Sequence, residues 1–262
     1  MGIEVFNRYE KKFLLNQEIY NLITEKLNEN MELDAFNKKN GFYTICNIYY
    51  DTSSNELIKK SLSKPVYKEK LRLRSYGVPD VDCKAYLEIK KKYNGMVNKR
   101  RTKMTIEDAY KFVATGEIPK EKSYHNRQVM KEIDFFLKRY ELEPSVYIAY
   151  DRTALFDNDL RITFDHNIRT RRYDLALELG DYGEALLDED QWLMEIKVGT
   201  SYPLWLTKIL SDLNIYSNSF SKYGREYLKQ IDSIKNIKTN LKGDHEKCLN
   251  HYLAPQLVPQ YL

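Results

Sequence analysis

Polar and apolar residues alternate with period two along much of this chain. Residues 66–76 and 85–93 show it most plainly, as expected where successive side chains of a strand point to opposite faces. Residues 5–15, 42–50, 146–156, 160–165, 168–173 and 192–198 read as further strands, rich in aromatic and β-branched residues. Asn94-Gly95 tolerates the positive φ angles of a type I′ turn, so 85–93 and 96–104 are predicted to pair as an antiparallel hairpin. Helical spacing intervenes elsewhere. A helix from about Gln17 sets Ile19, Leu22, Ile23 and Leu27 on one face behind an Asn16 N-cap, and Ser53 and Ser54 are expected to cap a short helix ending at Leu62. Thr105 and Gly116 bracket a helix over 106–114, and Pro144 is expected to stop one over 126–140. Two short helices, 203–213 and 219–231, close the pattern.

Sorting the strands by parity gives two surfaces. One is apolar: Leu71 and Leu73, Leu87 and Ile89, Leu160 with Ile162 and Phe164, Met194 with Ile196 and Val198. The other carries Arg8, Glu10 and Lys12; Lys70, Arg72 and Arg74; Glu88, Lys90 and Lys92; Tyr150 and Arg152; Arg161 and Asp165; Glu195 and Lys197. A solvated face mixes neutral polar residues with both charge signs. Here cations dominate, and cations directly opposite one another destabilise a sheet unless an anion lies between them. The expected fold class is therefore α+β, an antiparallel β-barrel with helices packed outside and at its ends, the basic face turned inward as a tunnel.

Charge distribution sharpens this picture. The net charge of the 262 residues is only +4. The segment 59–103, however, holds fifteen Lys/Arg against four Asp/Glu and so carries +11, which leaves −7 for the remainder. Such clustering implies an anionic partner. Phosphate fits Arg forks and Lys ammonium groups, and with no GxxxxGK[ST] loop to supply backbone amides, side chains must do the binding. Glu10 and Glu195, hard oxygen donors among the cations, suit a divalent metal bridging two phosphates.

The segment Arg8-Tyr9-Glu10-Lys11-Lys12-Phe13 resembles the ExExK signature of the triphosphate tunnel (CYTH) superfamily, with Arg8 replacing the first Glu as in its VTC branch, the polyphosphate polymerase domain. The resemblance continues through Tyr49-Tyr50-Asp51, Lys70-Leu71-Arg72-Leu73-Arg74-Ser75-Tyr76-Gly77 and Leu87-Glu88-Ile89-Lys90. It resumes at Tyr150-Asp151-Arg152-Thr153-Ala154, Leu160 to Asp165, Glu195-Ile196-Lys197 and Phe220-Ser221-Lys222-Tyr223. It implies an ATP-dependent polymerase that moves the γ-phosphoryl group onto a growing polyphosphate chain, with a divalent cofactor, Mn2+ or Mg2+. Lys12, Arg72, Arg74, Lys90, Arg152 and Arg161 are the implied phosphate ligands, helped by Tyr150. Glu195 is the implied metal ligand, and Lys222 reaches the reacting phosphate. The expected catalytic set is thus Lys222, Glu195 and Arg161. Lys70 and Lys197 join the phosphate-binding set and Glu10 the metal set. Which of Lys59, Lys60, Lys99, Arg100 and Arg101 point inward depends on register and stays open.

Other readings carry distinct expectations. Hydrolysis of tripolyphosphate or of a nucleoside triphosphate on the same barrel would favour extra acids for a second metal, and Arg8 speaks against that. A non-catalytic polyphosphate-binding module would bind without turnover. Nucleic acid is not expected: the 22 tyrosines are spread over the whole chain and no RNA- or DNA-binding signature accompanies them. His245, Cys248 and His251 lack a fourth ligand for zinc, and His125 and His166 lack triad partners. Three well-separated cysteines, no apolar span and no apolar leader give a cytoplasmic expectation, with a membrane-protein partner for product export left open. One domain is expected over 1–233, and the tail 234–262 is unassigned.

Overall fold

The alternating segments form strands that pair into a ring. In a computed structural model, residues 5–37, 41–80, 82–120 and 122–235 are described, side chains from Tyr9 onward. Strand β1 (Val5–Leu15) leads into helix α1 (Gln17–Asn28), the short β2 (Glu32–Leu33), β3 (Tyr43–Asp51), α2 (Glu56–Leu62) and β4 (Tyr67–Tyr76). The hairpin β5 (Lys84–Tyr93) and β6 (Met96–Thr105) follows, then α3 (Ile106–Thr115), α4 (Arg127–Arg139), β7 (Glu143–Asp157) and β8 (Leu160–Arg171). The short β9 (Glu184–Ala185), β10 (Trp192–Val198), α5 (Leu204–Asp212) and a helix over 222–235, α6, complete the order.

All pairings are antiparallel. The sheet order runs β7-β3-β4-β5-β6-β1-β10-β8, and a further β7–β8 ladder from Tyr147↔Arg171 to Asp157↔Leu160 joins its ends, so eight strands close on themselves. β2 and β9 hang on β7 and β8. Closure removes free edges and forces each strand to present one face inward.

The apolar face is the outer one. On one side Leu71, Leu73, Leu87 and Ile89 pack under Ile106, Ala109 and Phe112 of α3 and Val129, Ile133 and Phe136 of α4. On another, Phe13, Leu15, Ile162, Phe164, Met194 and Ile196 pack against Ile23 and Leu27 of α1 and Leu206 and Leu210 of α5. The hydrophobic core thus lies between barrel wall and helices, and the barrel interior is left to polar groups.

Local chemistry explains the element ends. Asn94 and Gly95 have φ of 43° and 86°, as a primed turn requires. Asn16, Thr105 and Asn126 accept from the backbone N–H three residues on, capping α1, α3 and α4. Ser53 and Ser54 do not cap α2. Asp51 does so from a distance, its carboxylate accepting from the N–H groups of Leu57 (2.8 Å) and Ile58 (3.0 Å), while Thr52 Oγ1 accepts from Glu56 N–H (2.9 Å). Pro144 does not end α4, which stops at Arg139; the proline sits at the start of β7. The two strands expected at 160–165 and 168–173 are one, β8. A bulge opposite Tyr150, with Asn167 at φ 48°, breaks the alternation that suggested a gap.

The chain divides into two units, 1–224 and 225–262. The first contains the barrel; of the second the structure describes a helix through residue 235. The side chain of Arg8 and the His245, Cys248, His251 cluster lie outside the described residues.

Asp51 is fully buried, and it also accepts from the Tyr223 hydroxyl at 2.8 Å, tying β3, α2 and the start of α6 together. Asp51→Ala strands two helix N–H groups and one phenol, and is expected to cost roughly 3 kcal/mol in urea unfolding. Asp51→Asn, which keeps one acceptor oxygen, is expected to cost less.

Candidate active site

With the apolar alternates committed to the outer core, the intervening residues line the interior. β1 presents Glu10 and Lys12; β4 presents Lys70, Arg72 and Arg74; β5 presents Glu88 and Lys90, with Lys92 on the same face at one end. β7 contributes Tyr150 and Arg152, β8 Arg161, Thr163 and Asp165, and β10 Glu195 and Lys197. Lys222 enters from the first residue of α6. Contacts between strands that are not neighbours show the enclosure: Arg74 of β4 donates to the Tyr150 hydroxyl of β7 at 2.8 Å, and Lys90 of β5 reaches Glu10 of β1 at 3.2 Å.

Register settles the open positions. Glu88 pairs with Arg101 and Lys90 with Lys99 across β5–β6, so these two share the lining face. Lys99 lies 3.5 Å from Glu88, and the Arg101 guanidinium stands 4.5 Å over the Tyr86 ring. Arg100 points outward to Glu132 of α4, and Lys59 and Lys60 are exposed on α2.

Four carboxylates organise the cations. Glu195 is met by Lys197 at 2.8 Å, Lys12 at 3.2 Å, Lys222 at 3.5 Å and Arg152 at 3.7 Å. Asp165 receives the Arg152 fork at 2.5 and 2.7 Å, and Lys222 as well. Glu10 holds Lys90 at 3.2 Å and Lys12 at 3.6 Å. On the other side of the barrel, one oxygen of Glu88 accepts from Arg72 Nε at 2.8 Å and faces Nη2 at 2.7 Å. Arg72 also donates to the Tyr49 hydroxyl at 3.0 Å, and Arg74 to Asn47 at 2.8 Å.

The expected catalytic trio divides. Lys222 and Glu195 adjoin, with Lys222 Nζ 4.2 Å from the Tyr150 ring centre. Arg161 instead pairs with Asp34 at 2.6 Å and reaches the Tyr43 hydroxyl at 3.5 Å, near one mouth. Lys70 donates to Ser221 Oγ at 3.3 Å and stands 5.6 Å from the Tyr223 ring centre, and among the described residues no carboxylate pairs with it.

This crowding shifts protonation. Burial opposes the charge on Glu10, but Lys90 and Lys12 outweigh it and hold the carboxyl far below its usual range. Glu88 is held down likewise, against burial, by Arg72 and Lys99, and Glu195 by Lys12, Lys197 and Lys222. Three lysines move the other way. Burial brings Lys70 down to about 8, and brings Lys197 to about 8 although Glu195 opposes the shift. Burial also brings Lys99 to about 7, with Arg74 and Arg72 adding to it against Glu88. The Tyr49 phenol falls to about 8, because Arg72 and Arg74 overcome its burial. The interior therefore carries more positive charge than its own acids neutralise, and an anion is the species that would relieve it.

Asp165, which takes both the Arg152 fork and Lys222, was given no role by the sequence beyond its place on the lining face and in the resemblance. Tyr49, Asn47 and Asp34 had no charge pattern to mark them. Among the described residues no three Asp, Glu, His or Cys side chains converge as a ready metal cage. Glu10 and Glu195, joined through Lys12 and both held ionised, supply two hard oxygen donors. That set suits an ion such as Mg2+ or Mn2+, which takes one or two carboxylates and fills its shell from phosphates and water.

A search of curated proteins finds no match to this sequence. A solved structure shares the fold. An adenylate cyclase candidate of Bacillus halodurans superposes with a TM-score of 0.52 at 15% identity, over 84% of this chain and 96% of that one. An adenylyl cyclase candidate of Hippeastrum with a dominant triphosphatase activity matches at TM-score 0.48 and 16% identity, over 84% and 93% of the two chains. The VTC domain model matches residues 7–231, which takes in every lining strand and Lys222. With that match spanning most of its length and the basic barrel in place, the chain belongs to the VTC domain family.

Proposed function

We propose that this protein is an ATP–polyphosphate phosphotransferase, moving the γ-phosphoryl group of ATP onto the end of a polyphosphate chain held in the barrel. The observation that carries the reading is the enclosed ring of cations, in which Lys70 has no carboxylate partner among the described residues and Lys99 and Lys197 are crowded by like charge. A terminal oxygen of the chain attacks the γ-phosphorus, the bond to the β-bridging oxygen breaks, and ADP leaves with the electron pair. Such a transfer needs alignment and charge neutralisation more than covalent help.

Arg72 and Arg74, held by Glu88, Asn47 and the two tyrosine hydroxyls, are positioned donors for phosphate oxygens at fixed places. Lys12, Lys90, Lys197 and Lys222 supply mobile positive charge. Lys222 beside Glu195 is the group best placed to meet the phosphate in transit, and Arg152, locked by Asp165, holds that corner rigid. A divalent ion carried on the phosphates, with Glu195 and Glu10 as its protein ligands, would screen the equatorial charge. We extend the proposal to a cytoplasmic setting, which the unpaired thiols Cys46 and Cys83 support, with a membrane-protein partner as recipient of the product. Among the described residues no helix is long and apolar enough to cross a membrane.

Incubation with ATP and Mn2+ is expected to yield long polymers resolved by gel electrophoresis; orthophosphate as the sole product would assign hydrolysis instead. Glu195→Gln is expected to cut turnover at least about a hundredfold while polyphosphate binding, measured by calorimetry, is retained. Weakened binding with intact turnover would contradict the role given to Glu195.

Protonation supplies another check. Phosphate favours the charged forms of Lys70, Lys99 and Lys197, which in the empty barrel titrate at about 8, 7 and 8. Binding of long-chain polyphosphate at pH 8.5 should therefore take up protons, and affinity should fall as pH rises above about 7. Calorimetry in buffers of different ionisation enthalpy reads this directly, and proton release would refute it. For the empty protein the sign is opposite. Unfolded lysines keep their protons up to about 10.5, so these three groups make stability rise between about pH 7 and that value. Saturating tripolyphosphate is expected to raise Tm most at neutral pH.

A further inference from the structure

The two ends of the lining face differ in chemistry. At one end Lys68 and Lys92 face each other across β4–β5, and the rings at that end, Tyr67 and Tyr93, share the outer face with Glu69 and Lys91. At the other end the lining positions are aromatic. Tyr43 opens β3, Tyr76 closes β4 on the same face as Arg74, and Tyr86 pairs directly with Arg74 across β4–β5. Phe36, in the turn after β2, leans over them. Its ring lies 6.0 Å from Tyr76 with planes 7° apart and 5.9 Å from Tyr43, and Tyr76 meets Tyr86 edge-on at 6.0 Å.

These rings are not buried as a core would be: Phe36 is 67% exposed and Tyr76 44%. An exposed aromatic group at the entrance of a cationic channel, with the one parallel pair Phe36 and Tyr76 at its outer edge, is the kind of surface on which a flat apolar group rests. The neighbouring charges narrow the choice. The Arg101 guanidinium lies over Tyr86 at 4.5 Å, and Arg161 reaches Tyr43 at this same mouth. Tyr76 stands two residues along β4 from Arg74, a step of about 7 Å, comparable to the span of a ribose between base and phosphate.

We propose that this aromatic mouth is a nucleobase platform: the base of the nucleoside triphosphate stacks on Phe36 and Tyr76, and its phosphates extend inward past Arg74. The inference deepens the proposed function and rests on it. It also fixes the direction of the substrate in the barrel, because at the lysine mouth the lining positions of β4 and β5 are Lys68 and Lys92 and not rings. Base–aromatic stacking tolerates any base, so ATP and GTP should gain alike.

The test compares ATP with tripolyphosphate, which has the phosphates and no base. Phe36→Ala, at an exposed turn position, is expected to leave Tm and tripolyphosphate affinity unchanged and to weaken ATP binding roughly fivefold or more, with Phe36→Trp restoring it. The fluorescence of ethenoadenosine triphosphate should be quenched on binding to the wild type and to Phe36→Trp, but not to Phe36→Ala. Equal loss for ATP and tripolyphosphate, or no loss for either, overturns the platform while leaving the tunnel intact. Failure of the wild type to bind tripolyphosphate overturns both.

Discussion

Everything in this fold depends on enclosing like charges without an equal number of opposite ones. Eight strands close into a ring, and closure sends the alternate side chains of each strand inward, where cations outnumber acids. Glu10, Glu88, Asp165 and Glu195 make that tolerable, each shared by at least two cations. Burial raises the cost of every unpaired charge, and the price appears in the lysines whose protons are loosened. A barrel built this way is least comfortable when empty.

The placement of the core follows from the same constraint. A small barrel usually fills its interior with side chains that exclude water. Here the interior is reserved, so apolar stabilisation must come from outside, where α3 and α4 cover β4–β6 and α1 and α5 cover β1, β8 and β10. The helices clamp the wall at fixed curvature, and Asp51 links α2 and the start of α6 to β3. That last tie also fixes the backbone one residue from Lys222.

Much of this was legible in the sequence because a strand's period of two is rigid. The alternation of Leu71, Leu73, Leu87 and Ile89 with Arg72, Arg74, Glu88 and Lys90 separated the two faces, and Asn94-Gly95 fixed a hairpin. Parity within β6 was less legible, because Lys99, Arg100 and Arg101 are all cationic; only Glu132 on α4 draws Arg100 outward. Nor could spacing reveal that Arg161 turns to Asp34, more than a hundred residues earlier, or that Asp51 caps α2 in place of the serines. The bulge opposite Tyr150 escaped for the same reason: it depends on a partner strand, and its only local trace is Asn167.

The two kinds of cation in the barrel have different capacities for exchange. Arg152 holds Asp165 by two parallel bonds and Arg72 sets two N–H groups on one oxygen of Glu88, so a passing phosphate must replace two bonds at once to displace either guanidinium. Lys12, Lys90, Lys197 and Lys222 touch theirs through single ammonium groups at 2.8 to 3.6 Å, on flexible stems that swing to another oxygen at little cost. On the proposed function, a polymer advancing one phosphate at a time would not be gripped by guanidiniums alone, because each step would break two bonds together. Lysines that trade a carboxylate for a phosphate and back would allow such a chain to move while the arginines keep the channel's shape. The carboxylates are then more than ballast: they hold each lysine in place between steps, so that the barrel need not rearrange whenever a phosphate departs.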